Sequence, residues 1–237
     1  MNKEIIHKAY VLFLSGIMDE NGIVRAKNNN QLIGIQFINN SFKDYIVYKY
    51  YDNGQIWYQR EYKNDKLHGD YFEYYDNGQI SYHCQYKNDI CHGDCISYYE
   101  DGKIKYQEQY KDDKLHGDCF GYYDNGQISY HYQYKNNQLH GDCISYCESE
   151  RIRYYYQYKN GKCHGDCIWY YDNGKIRYHD QYKNNKLHGD CIYYYESGKI
   201  RYHYQYKDDK LHGDCVDYYE NGQIKYQEQY KNGELIE

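Results

Sequence analysis

The tripeptide His-Gly-Asp begins at His68 and returns at His92, His116, His140, His164, His188 and His212, each step 24 residues, without insertion or deletion. A fixed period of this size decides the architecture first. Each repeat is one supersecondary unit, and its neighbours cover the faces it cannot bury alone. The period is strict from Tyr50, with units beginning at Tyr50, Tyr74, Tyr98, Tyr122, Tyr146, Tyr170 and Tyr194 and a partial one at Tyr218. Each unit carries two turn signals. Asn77-Gly78 and its equivalents read as the centre of a two-residue type I′ loop, which needs positive φ at both positions. Lys87 to Ile90 reads as a polar loop of about four residues. Between the turns apolar and polar residues alternate, which means strands, roughly Gln79–Tyr86 and Cys91–Tyr99.

The predicted fold is all-β: an elongated single-layer antiparallel β-meander with two strands per 24-residue repeat and about 16 strands in the array. Residues 1–49 read as an N-terminal cap with a degenerate repeat, because Lys27 to Gly34 (KNNNQLIG) echoes Lys135 to Gly141 (KNNQLHG). Residues 50–237 read as seven full units and one partial unit that stops before a second strand. The turns propose a register with Tyr86 opposite Cys91, Cys84 opposite Gly93, Tyr82 opposite Cys95 and His83 opposite Asp94. This puts Tyr and Cys on one face and His, Gln and Asp on the other.

Composition fits such a ribbon. With 40 Tyr, 5 Phe, 2 Trp and no Pro, and a mean hydropathy of -1.18, aliphatic core material is scarce. Stability must come from cross-strand pairs, at roughly 0.2–1 kcal/mol for each aromatic pair. Tyr suits this, since its ring packs while its hydroxyl stays wet. The recurring Gly leaves bare backbone for neighbouring rings.

A net charge of -6 argues against nucleic acid and against an anionic membrane as electrostatic partners. No run of 18 apolar residues exists. Ala9 to Met18 is short, follows Glu4 and His7, and lacks a small-residue cleavage site, so it reads as part of the cap and not as a signal peptide. Six of the ten cysteines share one repeat position. Successive copies would stand about 9.6 Å apart, beyond disulfide reach, which points to reduced, packed thiols in a cytoplasmic compartment.

No constellation reads as catalytic. His83 opposite Asp94 invites thoughts of a dyad or zinc, but the cysteines face the other way and a flat ladder spreads ligands that zinc needs converging. Cys91 and Cys95, like Cys163 and Cys167, stand four apart, about 13 Å along a strand, and read as small packed residues. The reading is therefore a non-enzyme with no catalytic residue, metal or cofactor. Replacement of the turn sequence by Glu148-Ser149-Glu150 predicts a distorted turn there, because no Gly is present.

The pattern YDNGxIxYxxxYKNGKxHGxxxxYYxNG resembles a MORN repeat. It is similar above all to the variant of the bacterial antitoxin-component family and of arrays encoded by large DNA viruses. The resemblance covers Tyr50 to Glu237. It implies an elongated antiparallel β-ribbon acting as a scaffold, with any catalysis on a separate domain. It also implies two alternatives, a membrane- or phospholipid-associated protein and an antitoxin-like neutraliser of a partner protein. The family's Tyr-x-Gly-x-Trp is replaced here by Tyr-x-x-Gln-Tyr, as at Tyr106 to Tyr110.

Within the array some positions vary while their neighbours repeat. One such column is Arg60, Cys84, Glu108, Tyr132, Tyr156, Asp180 and Tyr204; another is Glu73, Ser97, Gly121, Ser145, Trp169, Tyr193 and Asp217. Constant positions build the frame of a repeat protein and variable ones can read a partner. Tyr154, Tyr155, Tyr156 and Trp169 form the richest aromatic stretch, read as exposed. The expected contact residues for an unidentified protein partner are Tyr132, Tyr156, Trp169, Tyr193 and Tyr204.

Overall fold

The computed structural model describes residues 3–28 and 31–236. Backbone contacts divide the chain into two compact units, Met1–Lys114 and Leu115–Glu237. The first contains α1 (Lys3–Leu14), β1 (Ile23–Asn28), β2 (Gln31–Phe37), β3 (Tyr45–Tyr50), β4 (Ile56–Lys63), β5 (Lys66–Tyr74), β6 (Ile80–Lys87), β7 (Ile90–Tyr98) and β8 (Ile104–Lys111). The second contains β9 (Lys114–Tyr122, its first residue at the boundary), β10 (Ile128–Lys135), β11 (Gln138–Tyr146), β12 (Ile152–Lys159), β13 (Lys162–Tyr170), β14 (Ile176–Lys183), β15 (Lys186–Tyr194), β16 (Ile200–Lys207), β17 (Lys210–Tyr218), β18 (Ile224–Lys231) and β19 (Glu234–Leu235). Within each unit every strand pairs antiparallel with the next one in the chain. The array from β4 to β19 has the expected two strands per repeat. Its last unit does begin a second strand, two residues long.

The two turns exchange the roles the sequence suggests for them. At Asp76-Asn77-Gly78 the Gly78 N–H donates to Tyr75 O (3.0 Å), the Tyr75 N–H donates to Gln79 O (2.8 Å), and only Gly78 has positive φ (86°). This is a three-residue loop closed by a glycine bulge, not a type I′ turn. The Asn77 side chain selects it by accepting the Gln79 N–H at 2.9 Å, an Asx-turn. The type I′ turn lies in the other connection. There Lys87 pairs with Ile90 across two residues, Asn88 and Asp89, with φ of 56° and 69°. Asn and Asp tolerate this left-handed region better than other non-glycine residues. The turn also locks to the preceding repeat: Asp89 N–H donates to Leu67 O, and Leu67 N–H donates to the Asp89 carboxylate, both at 2.8 Å.

Glu150 fills the glycine position of its loop at φ 62°, with the same two hydrogen bonds, Cys147 N–H to Arg151 O (2.8 Å) and Glu150 N–H to Cys147 O (2.9 Å). The expected distortion is absent because the loop tolerates a left-handed Glu. Glu150→Gly is therefore expected to stabilise the chain by about 1 kcal/mol, seen as a higher urea midpoint. No gain would mean that the side chain compensates for its backbone.

The recurring His-Gly-Asp is a bulge. Tyr86 pairs with Cys91 as expected, but the next pair is Cys84 with Cys95, so His92, Gly93 and Asp94 stand against Gln85 alone. His83 then pairs with Ile96 and Tyr82 with Ser97, two residues beyond the register read from the sequence. The bulge needs Gly, with φ between 95° at Gly93 and 115° at Gly213. What lies over this glycine is the Gln three residues after the constant Tyr, not a ring. Gln157 Oε1 accepts the Asp166 N–H at 3.0 Å beside Gly165, and Gln133, Gln181 and Gln205 do the same in their repeats.

The division into two faces survives the shift, since two residues is one full period of alternation. On the polar face His83, His131, His179 and His203 each bond the Asp of the preceding bulge and not the one proposed. His83 Nε2 lies 2.8 Å from Asp70, His131 2.7 Å from Asp118, His179 2.8 Å from Asp166 and His203 2.9 Å from Asp190. These hydrogen bonds hold the Asp118 and Asp190 carboxyls below the ordinary carboxylate range. Each pair fixes a bulge to the strand that follows it.

The N-terminal region differs from a simple imperfect repeat. It opens with α1, whose Ile6 and Ala9 are buried against Val24, Ile33, Ile35 and Val47. Ile6, Ala9, Tyr10 and Phe13 follow helical spacing, and Tyr10 packs edge-on to Phe37 at 5.0 Å. Gly16, at φ 73°, stops the helix, with the Ile17 N–H donating back to Leu12 O. β1 and β2 form the hairpin that the KNNNQLIG echo suggests, with Asn28 opposite Gln31; its tip, Asn29 and Asn30, lies outside the described residues. Among the described residues no helix is long and apolar enough to cross a membrane.

Candidate functional site

Three rows of side chains cross the Tyr face of the second unit. In the row nearest the glycine-bulge loops, the constant Tyr alternates with the second variable column. Tyr154 packs on Trp169 (5.2 Å between centroids), Trp169 stacks on Tyr178 (5.8 Å), Tyr178 stacks on Tyr193 (5.4 Å), and Tyr193 meets Tyr202 edge-on (6.0 Å). This aromatic row runs unbroken over β12 to β16. The middle row alternates buried Cys with the first variable column: Cys143, Tyr156, Cys167, Asp180, Cys191 and Tyr204 are successive cross-strand partners. The buried thiols form the floor, and burial pushes Cys143 up to about 11 and Cys191 up to about 12. Such thiols stay protonated and inert at neutral pH.

Of the five expected contact residues, three come together. Tyr132, Tyr156 and Trp169, with Tyr154 and Tyr158, wall a hollow of ≈ 290 Å³ whose floor is Leu139 and Cys143. Polar tips satisfy one another inside it. Tyr132 and Tyr154 hydroxyls are 2.5 Å apart, and the Trp169 Nε1–H donates to the Tyr156 hydroxyl at 2.5 Å. Burial raises the hydroxyl pKa of both Tyr132 and Tyr156. Tyr193, 40% exposed, lines a second hollow with Tyr178, Tyr202, Arg177 and Arg201. Arg201 stands over the Tyr202 ring at 4.7 Å, a cation–π contact. Tyr204 lines neither hollow; its hydroxyl donates to Asp217 at 2.6 Å.

The aromatics read as exposed around Trp169 are half-buried in this mutual packing. Tyr155 lies on the opposite face, where its hydroxyl donates to Asp142 at 2.7 Å in the place His takes in other repeats. The sequence reading placed Tyr154 in its aromatic stretch but missed Tyr158 and Leu139 as wall and floor. They are constant or nearly constant columns, and only the true register shows that they border the variable ones.

The bulge also overturns the separation assigned to the four-apart cysteines. Cys91 and Cys95 sulfurs lie 3.3 Å apart, and Cys163 and Cys167 sulfurs 2.7 Å apart. A chain that spends three residues opposite one returns the fourth beside the first. Cys95 is also the direct cross-strand partner of Cys84, and the two are joined by a disulfide with Cα atoms 4.1 Å apart. The expectation of reduced thiols throughout does not hold at this pair, because the partner that comes within reach is across the strand and not in the next repeat.

A two-strand unit, repeated without interruption and closed by a fixed bulge, defines a β-meander repeat protein, a non-catalytic type of framework. A family model described as a MORN repeat variant matches residues 44–64, 67–88, 92–112, 115–136, 164–184, 187–208 and 211–232, and the chain belongs to that family. The stretch between matches, 137–163, holds the turn in which Glu150 replaces Gly. A search of curated proteins finds no match.

Proposed function

We propose that this chain is a non-enzymatic scaffold that binds a protein partner through the Tyr face. The hollow between Tyr132, Tyr156 and Trp169 is the anchor point, and Tyr193 and Tyr204 extend the contact. The observation that carries this reading is the aromatic row from Tyr154 to Tyr202 beside a hollow lined almost wholly by rings and apolar atoms. Interface hot spots are enriched in Trp and Tyr set in such concavities, and rings that already pack on one another lose little entropy on binding.

The test is affinity purification of the tagged chain from its host cell, with the co-eluting proteins identified by mass spectrometry. A stoichiometric partner is expected, and its binding should weaken by about 30-fold or more in Tyr156→Ala/Trp169→Ala. Trp169→Ser serves as the folding control, because Ser97 and Ser145 occupy the same column in other repeats. A partner retained equally by all variants would remove the site. An empty eluate together with co-sedimentation on anionic vesicles would replace the reading with the lipid alternative.

A further inference from the structure

Three columns of the repeat coincide in cysteine at one place in the chain. The first variable column gives Cys84, the column usually occupied by Leu gives Cys91, and the constant column gives Cys95. The equivalent trio is Tyr132, Leu139 and Cys143 at β10–β11, and Tyr204, Leu211 and Cys215 at β16–β17. At β12–β13 it is Tyr156, Cys163 and Cys167, two sulfurs without a third. Drift in one column would not require the others to change with it.

The three sulfurs converge. Cys91 Sγ lies 3.1 Å from Cys84 Sγ and 3.3 Å from Cys95 Sγ. All three ligand atoms lie within 4.8 Å of one another. Cys84, Cys91 and Cys95 are 0%, 8% and 2% exposed, under Tyr82, Tyr86 and Tyr110. The surroundings are acidic as well. The Asp113 carboxylate accepts the Cys91 N–H at 2.7 Å. Glu108 is the cross-strand partner of Cys95 on its other side and accepts the Tyr110 hydroxyl at 3.0 Å.

We propose that Cys84, Cys91 and Cys95, once the Cys84–Cys95 disulfide is reduced, form a binding site for one thiophilic d¹⁰ metal ion. Three sulfurs brought to one buried point suit a soft cation, and Glu108 stands at the rim as an oxygen ligand for an ion that takes a fourth. The disulfide is the closed state of the site. A dithiol reductant opens it: its two thiols supply two electrons and two protons, the S–S bond becomes two thiols, and the reductant leaves as its own disulfide. Metal binding then releases the thiol protons.

The experiment uses the full chain, reduced and freed of reductant without air, and titrated with Cd²⁺, read by its sulfur-to-metal charge-transfer absorbance in the ultraviolet. One tightly held equivalent is expected, absent from the oxidised chain. Cys91→Leu and Cys84→Tyr, each installing the residue other repeats carry, should keep the β-sheet circular dichroism and lose that equivalent. Cys163→Leu should retain it. Competition by Zn²⁺ and by Cu⁺ then shows which ion the site prefers. Failure of the reduced chain to bind, or equal binding by Cys91→Leu, overturns the proposal. Neither result bears on the Tyr156 and Trp169 reading, which concerns other residues.

Discussion

Gly165→Ala is expected to destabilise the chain by about 2–3 kcal/mol, a strained-backbone cost with a contact added. Gly165 sits in the bulge at φ 110°, a region that residues with a Cβ rarely enter. An added Cβ would also meet Gln157, whose Cβ and Cδ both lie 3.1 Å away. Moving Gln157 aside would break its hydrogen bond from Asp166 N–H and loosen the register of β12 on β13. The comparison is Gly126→Ala, in a glycine-bulge loop at φ 88° with nothing within 4 Å of the new atom. That change carries only the left-handed penalty of about 1–2 kcal/mol. Urea unfolding of the two variants separates the accounts. Equal midpoints would mean that backbone angle alone matters and that the glutamine does not brace the bulge.

The bulge also explains what could be read from the sequence. The 24-residue period, the strands and the division into faces were all legible, because alternation and turn residues fix them locally. The pairing of particular residues was not. His-Gly-Asp looks like the continuation of a strand, and nothing in its residue types announces that three residues face one. Only the spacing of Tyr86–Cys91 against Cys84–Cys95 reveals it. Every misplaced neighbour follows from that one feature: His83 bonds Asp70 and not Asp94, and Cys91 touches Cys95 instead of standing far from it. The turns were misread for a related reason. Asn-Gly is the strongest type I′ signal, but the Asp before it and the Asx bond to Gln79 make a three-residue loop, leaving Asn88-Asp89 to form the tighter turn. At the candidate site Tyr132, Tyr156 and Trp169 were legible because they vary beside constant neighbours. Their common hollow was not, since it depends on the shifted register.

Asp180 marks where the middle row carries a cost, and Asp180→Asn is expected to raise stability by about 1–2 kcal/mol at pH 8. Asp180 is 6% exposed, between the buried Cys167 and Cys191. Among the described residues its Oδ1 has no hydrogen-bond partner. Burial pushes its carboxyl pKa up, against smaller opposing effects from the Cys191 thiol and His179. A folded-state pKa above the unfolded one means that the group imposes no loss below the unfolded value, near 4. Stability then falls as pH rises through the raised pKa, because the folded chain must hold a desolvated carboxylate. The advantage of Asn should therefore grow from near zero at pH 4 to its full size at pH 8, as thermal melts at the two values would show. Asp180→Tyr, which restores the residue found in the flanking repeats at Tyr156 and Tyr204, should stabilise at least as much by covering both thiols with a ring. Loss of stability at pH 8 in both variants would instead show that the buried carboxylate is held by a favourable contact in solution, and the middle row would then contain a polar anchor where this structure has an unpaired charge.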